Sequence, residues 1–217
     1  MAIIKLDVVI DTGCPFCYIA LKRITKAIET YETRHINDSI IVQWQPLILQ
    51  PTLSKTPVEI RTYIASIFGP EVRDTKLRNE QALGLSEGIK FDPNRKVGST
   101  YDSHRLIHLA GEKSSATQSS VVRKLFEGHF EDGKAQSSHA FLIDVAVASG
   151  IEKSEAVAWL ESNAGGPEVE EKNRKATSRG VRSVPYITVA ELYPVGSRYD
   201  EKSLLNIFER TRMERST

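Results

Sequence analysis

An apolar, largely β-branched run, IIKLDVVI at residues 3–10, gives way within four residues to a helical pattern. The chain's only two cysteines, Cys14 and Cys17, stand at that junction as CPFC. A strand of this composition suits a sheet covered on both faces. From Pro15 onward, Ile19, Ile24, Ala27, Ile28 and Tyr31 recur at three- and four-residue steps, which predicts a helix to about Tyr31. SIIVQWQPLIL at 39–49 is strand-like again, with Pro46 limiting how far it can pair. The chain therefore opens β-α-β, with CPFC at the start of the crossover helix.

The middle of the chain changes character. Thr56-Pro57-Val58-Glu59 reads as a capping box with proline at the first helical position. Helical periodicity follows over 57–68, 70–83, 99–112, 115–132, 137–149 and 153–162, with a short ambiguous piece at Gly88–Phe91. Gly165-Gly166-Pro167 marks the return. Glu168, Glu170 and Glu171 precede Arg174, Lys175 and Arg179 in a dipole-matched helix closed by Gly180, most simply a solvated face. SVPYITVAEL at 183–192 is a strand, VGSR a turn, and DEKSLLNIFER at 200–210 a helix capped by Asp200. These elements predict an α/β chain in two parts: a discontinuous domain of residues 1–53 and 166–217, and a helical insertion of residues 54–165.

Composition sets few other bounds. A formal net charge of +1 over 217 residues gives no reason to expect nucleic acid or an anionic membrane as partner. No apolar run approaches the roughly 20 residues that span a bilayer. MAIIKLDVVID does not read as a signal peptide and MERST is no retention signal, so a cytoplasmic location is expected. In a reducing compartment a lone CxxC points to catalysis or metal rather than to a structural staple.

Thiol-disulfide exchange needs an attacking thiolate and a second thiol close enough to resolve the mixed disulfide. At the first turn of a helix, unsatisfied N–H groups and the dipole favour a thiolate at the earlier cysteine. That makes Cys14 the attacking residue and Cys17 the resolver, while Pro15 costs no hydrogen bond in the first turn. Two other readings compete: a pair of inert thiols, or half of a metal site. Tetrahedral zinc wants four ligands, and no second CxxC supplies them, so no metal is expected. His104 and His108 share a helix face without a metalloprotease motif and read as packing or surface residues.

With these residues in view, the chain resembles the DsbA-like thioredoxin-fold proteins of the FrnE-type branch, neighbours of the kappa-class glutathione transferases and 2-hydroxychromene-2-carboxylate isomerases. CPFCYIA, VQWQPLILQP, SHRLIHLA, SVPYITV and VGSRYDEKSLLNIFE carry the resemblance, which covers nearly the whole chain. It implies a thioredoxin fold with a large all-helical insertion, Cys14 as nucleophile and Cys17 as resolver. It also implies a cis bond before Pro185, with Val184 presenting backbone groups to substrate. His104 and Arg105 would line the cleft, and Phe16 would border it.

The chain departs from the family pattern in three places. Pro-Phe between the cysteines lacks the histidine that helps stabilise a thiolate in strongly oxidising relatives, which implies a weaker oxidant or a reductase. Leu47 replaces an aromatic residue. RSVP brings Arg182 and Ser183 close to the sulfurs.

The leading expectation is a thiol-disulfide oxidoreductase with no tightly bound cofactor. Its partners would be a protein or small-molecule thiol or disulfide, with glutathione or a thioredoxin system for recycling. The family analogy also allows a homodimer. The alternative is a glutathione-dependent transferase or isomerase acting on a small organic molecule, with Phe16, Tyr18, Trp44 and Tyr186 as apolar walls. A third reading is a redox-sensing binding module that uses Trp44 and Trp159 at an interface.

Overall fold

The computed structural model describes residues 2–196 and 200–214. Strand β1 (Ile3–Ile10) leads through Cys14 into helix α1 (Pro15–Arg34) and strand β2 (Ser39–Pro46). β1 and β2 pair in parallel over eight residue pairs, from Ile3 opposite Ser39 to Ile10 opposite Pro46. After the helical block come α8 (Gly166–Ser178), β5 (Tyr186–Val189), β6 (Tyr193–Val195) and α9 (Glu201–Glu214). The sheet order is β2-β1-β5-β6, with β5 antiparallel to both β1 and β6. This β-α-β…α-β-β-α arrangement is the thioredoxin fold.

The block between β2 and α8 holds β3 (Val58–Glu59), α2 (Ile60–Phe68), α3 (Pro70–Ser86), β4 (Lys96–Val97), α4 (Tyr101–Lys113), α5 (Ser115–Phe130), α6 (His139–Ala148) and α7 (Lys153–Glu161). Its packing on α1 is aromatic. Tyr18 of α1 stacks on Phe126 and Phe130 of α5 with ring centroids 5.5 and 5.8 Å apart. Tyr18, Phe126 and Phe130 are each fully buried, and a large side chain of this kind contributes about 1.5–3 kcal/mol when removed from water. One continuous core thus runs from the sheet through α4–α7. α2, α3 and β4 close over a separate small core of Ile60, Ile64, Leu77 and Val97.

β2 is an edge strand, and helices satisfy its free backbone groups. The Gln118 amide accepts the Trp44 N–H at 3.0 Å and donates to the Trp44 carbonyl at 3.2 Å, standing in for a neighbouring strand. Farther on, Asn173 accepts the Ile48 N–H at 2.9 Å. Both contacts remove buried polar groups that would otherwise be unpaired and blunt an edge open to pairing.

Several expectations need correction. The capping box at Thr56–Glu59 does not form: Val58 and Glu59 are extended and pair with Val97 and Lys96. α2 starts at Ile60, whose N–H goes to the Arg95 carbonyl at 3.0 Å. The ambiguous piece at Gly88–Phe91 is not a strand. It follows a turn made by Gly88 at φ +74°, and it buries Ile89 and Phe91. The strand expected over 183–192 covers only Tyr186–Val189. It ends because Ala190 and Glu191 adopt φ 52° and 64°, a left-handed turn that a strand cannot contain. The Asp200 cap is present, accepting the Ser203 N–H at 2.8 Å. Ser197 and Arg198 of the VGSR turn lie outside the described residues, as do residues 215–217 of MERST. Among the described residues no helix is long and apolar enough to cross a membrane.

Arg105 does not line a cleft. Its guanidinium is buried, pairs with Asp102 at 2.7 Å and donates to the carbonyls of Trp159, Ser162 and Ala164, closing the C-terminal end of α7. Burial alone would raise the Asp102 carboxyl. Hydrogen bonds from His139, Lys55 and Arg105 overcome this and hold it at about 2. The stability that these bonds supply is present above the ordinary carboxyl range and is lost as pH falls from about 4 towards about 2. Removing Arg105 leaves Lys55 and His139 on Asp102 but takes the donor from the Trp159, Ser162 and Ala164 carbonyls. Arg105→Ala is therefore expected to cost about 1–3 kcal/mol, read as a lower urea midpoint at pH 7.

Candidate active site

Cys14 is the N-cap of α1 (φ −94°, ψ 115°) and Pro15 begins the helix, with no acidic side chain in the first turn. The Cys14 N–H donates to the Asp11 carbonyl at 3.0 Å, and the Cys17 N–H returns to the Cys14 carbonyl at 3.0 Å. These two bonds wind the CPFC segment into one tight turn. Negative charge developing on the Cys14 sulfur sits at the positive end of a 20-residue helix.

From the other side the sulfur meets the loop before β5. Cys14 Sγ lies 3.7 Å from the Val184 carbonyl, and the Val184–Pro185 bond is cis. Both thiols are free. The two cysteines differ in surroundings: Cys14 is 7% exposed and Cys17 fully buried. Burial, a hydrogen bond with Cys14 and the Asp11 charge push the Cys17 thiol well above its ordinary range.

Cys14 borders a cleft of about 580 Å³. One wall is Phe16, Ile19, Leu49 and Val184; the facing wall is Ile60, Ile64 and Phe68 of α2, with Lys76, Asn79, Glu80 and Leu83 of α3. Phe16, Leu49 and Phe68 are 56, 42 and 49% exposed, a concentration of open apolar surface at the mouth. Arg95 and Glu80 form a buried ion pair at 2.5 Å in the same cleft. Burial raises the Glu80 carboxyl, and Arg95 opposes the rise.

The sequence-derived site residues distribute unevenly. Cys14, Phe16, Arg182 and Val184 meet at the cleft, with Pro185 buried beside Val184. Arg182 also donates to the Thr177 carbonyl at 2.7 Å, closing the end of α8. His104 does not reach the cleft. It is 2% exposed beneath the CPFC turn, with Nε2 3.9 Å from Asp11 Oδ1. The aromatic walls expected from Tyr18 and Trp44 are core instead, both almost fully buried, and Tyr186 does not line the cleft either.

Sequence reasoning passed over Asp11, which is 3% exposed and accepts the Gly13 N–H at 2.9 Å and the Leu49 N–H at 2.7 Å. It also passed over the cleft faces of α2 and α3. Their signal was present as Ile60, Ile64 and Phe68, and as Lys76, Asn79, Glu80 and Leu83, at helical spacing. Among the described residues no group of three His, Cys, Asp or Glu side chains is placed to share a metal ion.

The geometry thus sets two free cysteines at a helix start, faced by the loop of a cis-proline. Residues 5–200 match the DSBA-like thioredoxin domain. The chain belongs to that family. Among solved structures, a probable DsbA oxidoreductase from Streptomyces coelicolor is 25% identical, with a TM-score of 0.84 over 97% of this chain and 91% of that one. A 2-hydroxychromene-2-carboxylate isomerase shares the fold at 18% identity and a TM-score of 0.67, covering 98% and 97% of the two chains. The cytosolic disulfide reductase DsbM from Pseudomonas aeruginosa, solved with GSH, does so at 14% identity and 0.65, covering 97% and 99%. No curated protein matches the chain. The DsbA-like fold and its neighbourhood of oxidoreductases and isomerases are thus established.

The contrast between the two thiols has a direct readout. Brief treatment of the folded, reduced chain with iodoacetamide at pH 7.5 is expected to label Cys14 alone. Cys17 should be labelled only after unfolding, as peptide mapping by mass spectrometry would show.

Proposed function

We propose that the chain is a thiol-disulfide oxidoreductase in which Cys14 attacks and Cys17 resolves. The observation that carries this reading is the division between the sulfurs: Cys14 at a helix start on an open cleft, Cys17 sealed one turn behind it. The Cys14 thiolate attacks one sulfur of a disulfide, and the other sulfur leaves as a thiolate that takes up a proton. Cys17 then attacks Cys14 and expels the second substrate thiolate, leaving a Cys14–Cys17 disulfide and two electrons on the substrate. Val184, beside the reacting sulfur, offers its backbone to the substrate chain, and Phe16 and Arg182 flank it.

Reduction is the favoured direction. Pro15 and Phe16 between the cysteines include no cationic side chain to hold the dithiol as a thiolate. Two external thiols then regenerate the enzyme, supplied by glutathione or by a thioredoxin system. A cytoplasmic location fits that supply, and the likeness to a cytosolic reductase solved with GSH supports it.

A second reading draws on the cleft itself. Roofed by α2 and α3 and about 580 Å³ in volume, it has the size of a small-molecule site. Glutathione held beside Cys14 would then act on a small organic molecule, as a transferase or isomerase.

Mass spectrometry of the chain equilibrated in glutathione redox buffers separates the two. The oxidoreductase is expected to form a reversible Cys14–Cys17 disulfide, to accumulate a mixed disulfide on Cys14 in Cys17→Ser, and to form neither in Cys14→Ser. If no internal disulfide forms at any poise while glutathione binding survives Cys14→Ser, the transferase or isomerase reading takes its place.

A further inference from the structure

The cleft beside Cys14 is apolar in its walls and one-sided in its charge. Among the described residues that line it, Glu80 is the only carboxylate, and it is committed to Arg95 at 2.5 Å. Two cations remain, Lys76 of α3 and Arg182 of the loop before β5, and both are exposed. Neither meets a carboxylate among the described residues. The Lys76 ammonium rests over the Phe68 ring, 3.9 Å from its centre. Glu80 stands four residues farther along the same helix, where it could pair with Lys76, but it has turned to Arg95 instead. Arg182 gives one N–H to the Thr177 carbonyl and keeps the rest of its guanidinium for other partners.

We propose that Lys76 and Arg182 select the disulfide that Cys14 attacks, and that this disulfide belongs to a small thiol with an apolar body and a carboxylate. The proposal rests on the oxidoreductase reading and supplies its substrate class. Phe16 and Leu49 on one wall, with Ile60, Ile64, Phe68 and Leu83 on the other, enclose the apolar body. A volume of about 580 Å³ is that of a small-molecule site rather than of a flat face for a folded protein. The two cations stand on opposite walls. Arg182 lies two residues before Val184, whose carbonyl is 3.7 Å from Cys14 Sγ. Two residues of chain span at most about 7 Å, which keeps the Arg182 backbone close to the reacting sulfur. Lys76 faces it from α3.

Attack of a thiolate on an anionic disulfide brings like charges together. Cations on low-dielectric walls offset that repulsion and concentrate anions locally, raising association rates by about 10-fold to 1,000-fold. A neutral disulfide gains nothing from them. The chemistry is the exchange described above. The substrate S–S bond breaks as Cys14 Sγ bonds to one sulfur, and the other leaves as a thiolate. Cys17 then displaces the second thiolate, so that two electrons pass to the substrate and the Cys14–Cys17 disulfide remains.

The test is rapid mixing and acid-quenched mass spectrometry of the reduced chain with three probe disulfides. These are the aromatic dicarboxylate dithiobis-nitrobenzoate, the uncharged aromatic dithiodipyridine, and glutathione disulfide, which is anionic without an apolar body. Each rate is divided by that of the same probe with dithiothreitol, which removes intrinsic reactivity. The dicarboxylate is expected to exceed both other probes by about tenfold or more. Lys76→Gln and Arg182→Gln should each lower the ratio of dicarboxylate to uncharged probe by about threefold to tenfold. Salt at about 0.5 M should compress the wild-type ratio in the same direction. Equal normalised rates for the two aromatic probes overturn the proposal, and this arm needs no variant to fold. So does a ratio that neither substitution moves, or a glutathione disulfide rate that matches the dicarboxylate. If no probe reacts at Cys14, the oxidoreductase reading falls as well.

Discussion

Parallel pairing of β1 with β2 is the constraint on which the rest of the molecule depends. Eight matched pairs bring the ends of both strands to one edge of the sheet, and the Leu47 N–H extends the pairing to the Ile10 carbonyl at 2.8 Å. The segments that follow, Asp11–Gly13 and Leu47–Gln50, therefore run side by side. Asp11 fastens them, with one carboxylate oxygen on Gly13 and the other on Leu49. A slip of one residue would turn every β1 side chain to the wrong face and move this carboxylate away from the turn it secures. The position of Cys14 is thus set by the sheet register more than by its own contacts.

The helical block supports that frame in two distinct ways. α4 and α5 are continuous with the sheet core. Thr12 and Ser103 meet hydroxyl to hydroxyl at 2.7 Å, and Gln136 donates to the Thr12 carbonyl at 3.2 Å, so the CPFC turn rests on side chains from far along the chain. α2 and α3 stand on their own small core and supply the far wall of the cleft. The rigid part fixes the sulfur, and the separately packed part shapes what reaches it. Local opening costs least where few apolar contacts cross, which describes the α2–α3 pair better than any element beneath Cys14.

Much of this was legible in the sequence wherever a strong local pattern agreed with the fold. IIKLDVVI, the helix from Pro15 and the return after Gly165 follow from periodicity and punctuation alone. The losses come where tertiary contacts outrank local preference. Thr56-Pro57-Val58-Glu59 has the composition of a capping box, but Lys96 and Val97 offer a strand partner and Arg95 a carbonyl for the Ile60 N–H. Tyr18 and Trp44 look like cleft aromatics in a linear reading. One helical turn and one strand alternation respectively send them into the core. His104 stands in a motif that the resemblance places at the cleft, yet its ring faces inward to Asp11. Which side of a helix meets the sulfur cannot be read without the register between α4 and β1.

The same helical turn explains how two cysteines three residues apart come to behave differently. Cys14, as the N-cap, keeps extended backbone and turns its sulfur towards Val184 and the cleft. Cys17 lies inside the first turn, on the face of α1 that packs into the core, and it loses contact with solvent entirely. A thiol at that depth gains little from the helix dipole and bears the full cost of a buried anion, with the Asp11 carboxylate adding to it. In the exchange proposed above, the order of attack, cleft-facing sulfur first and sealed sulfur second, would follow from this difference in dielectric before any substrate is considered. The second step would need a nearby acceptor for the buried thiol's proton.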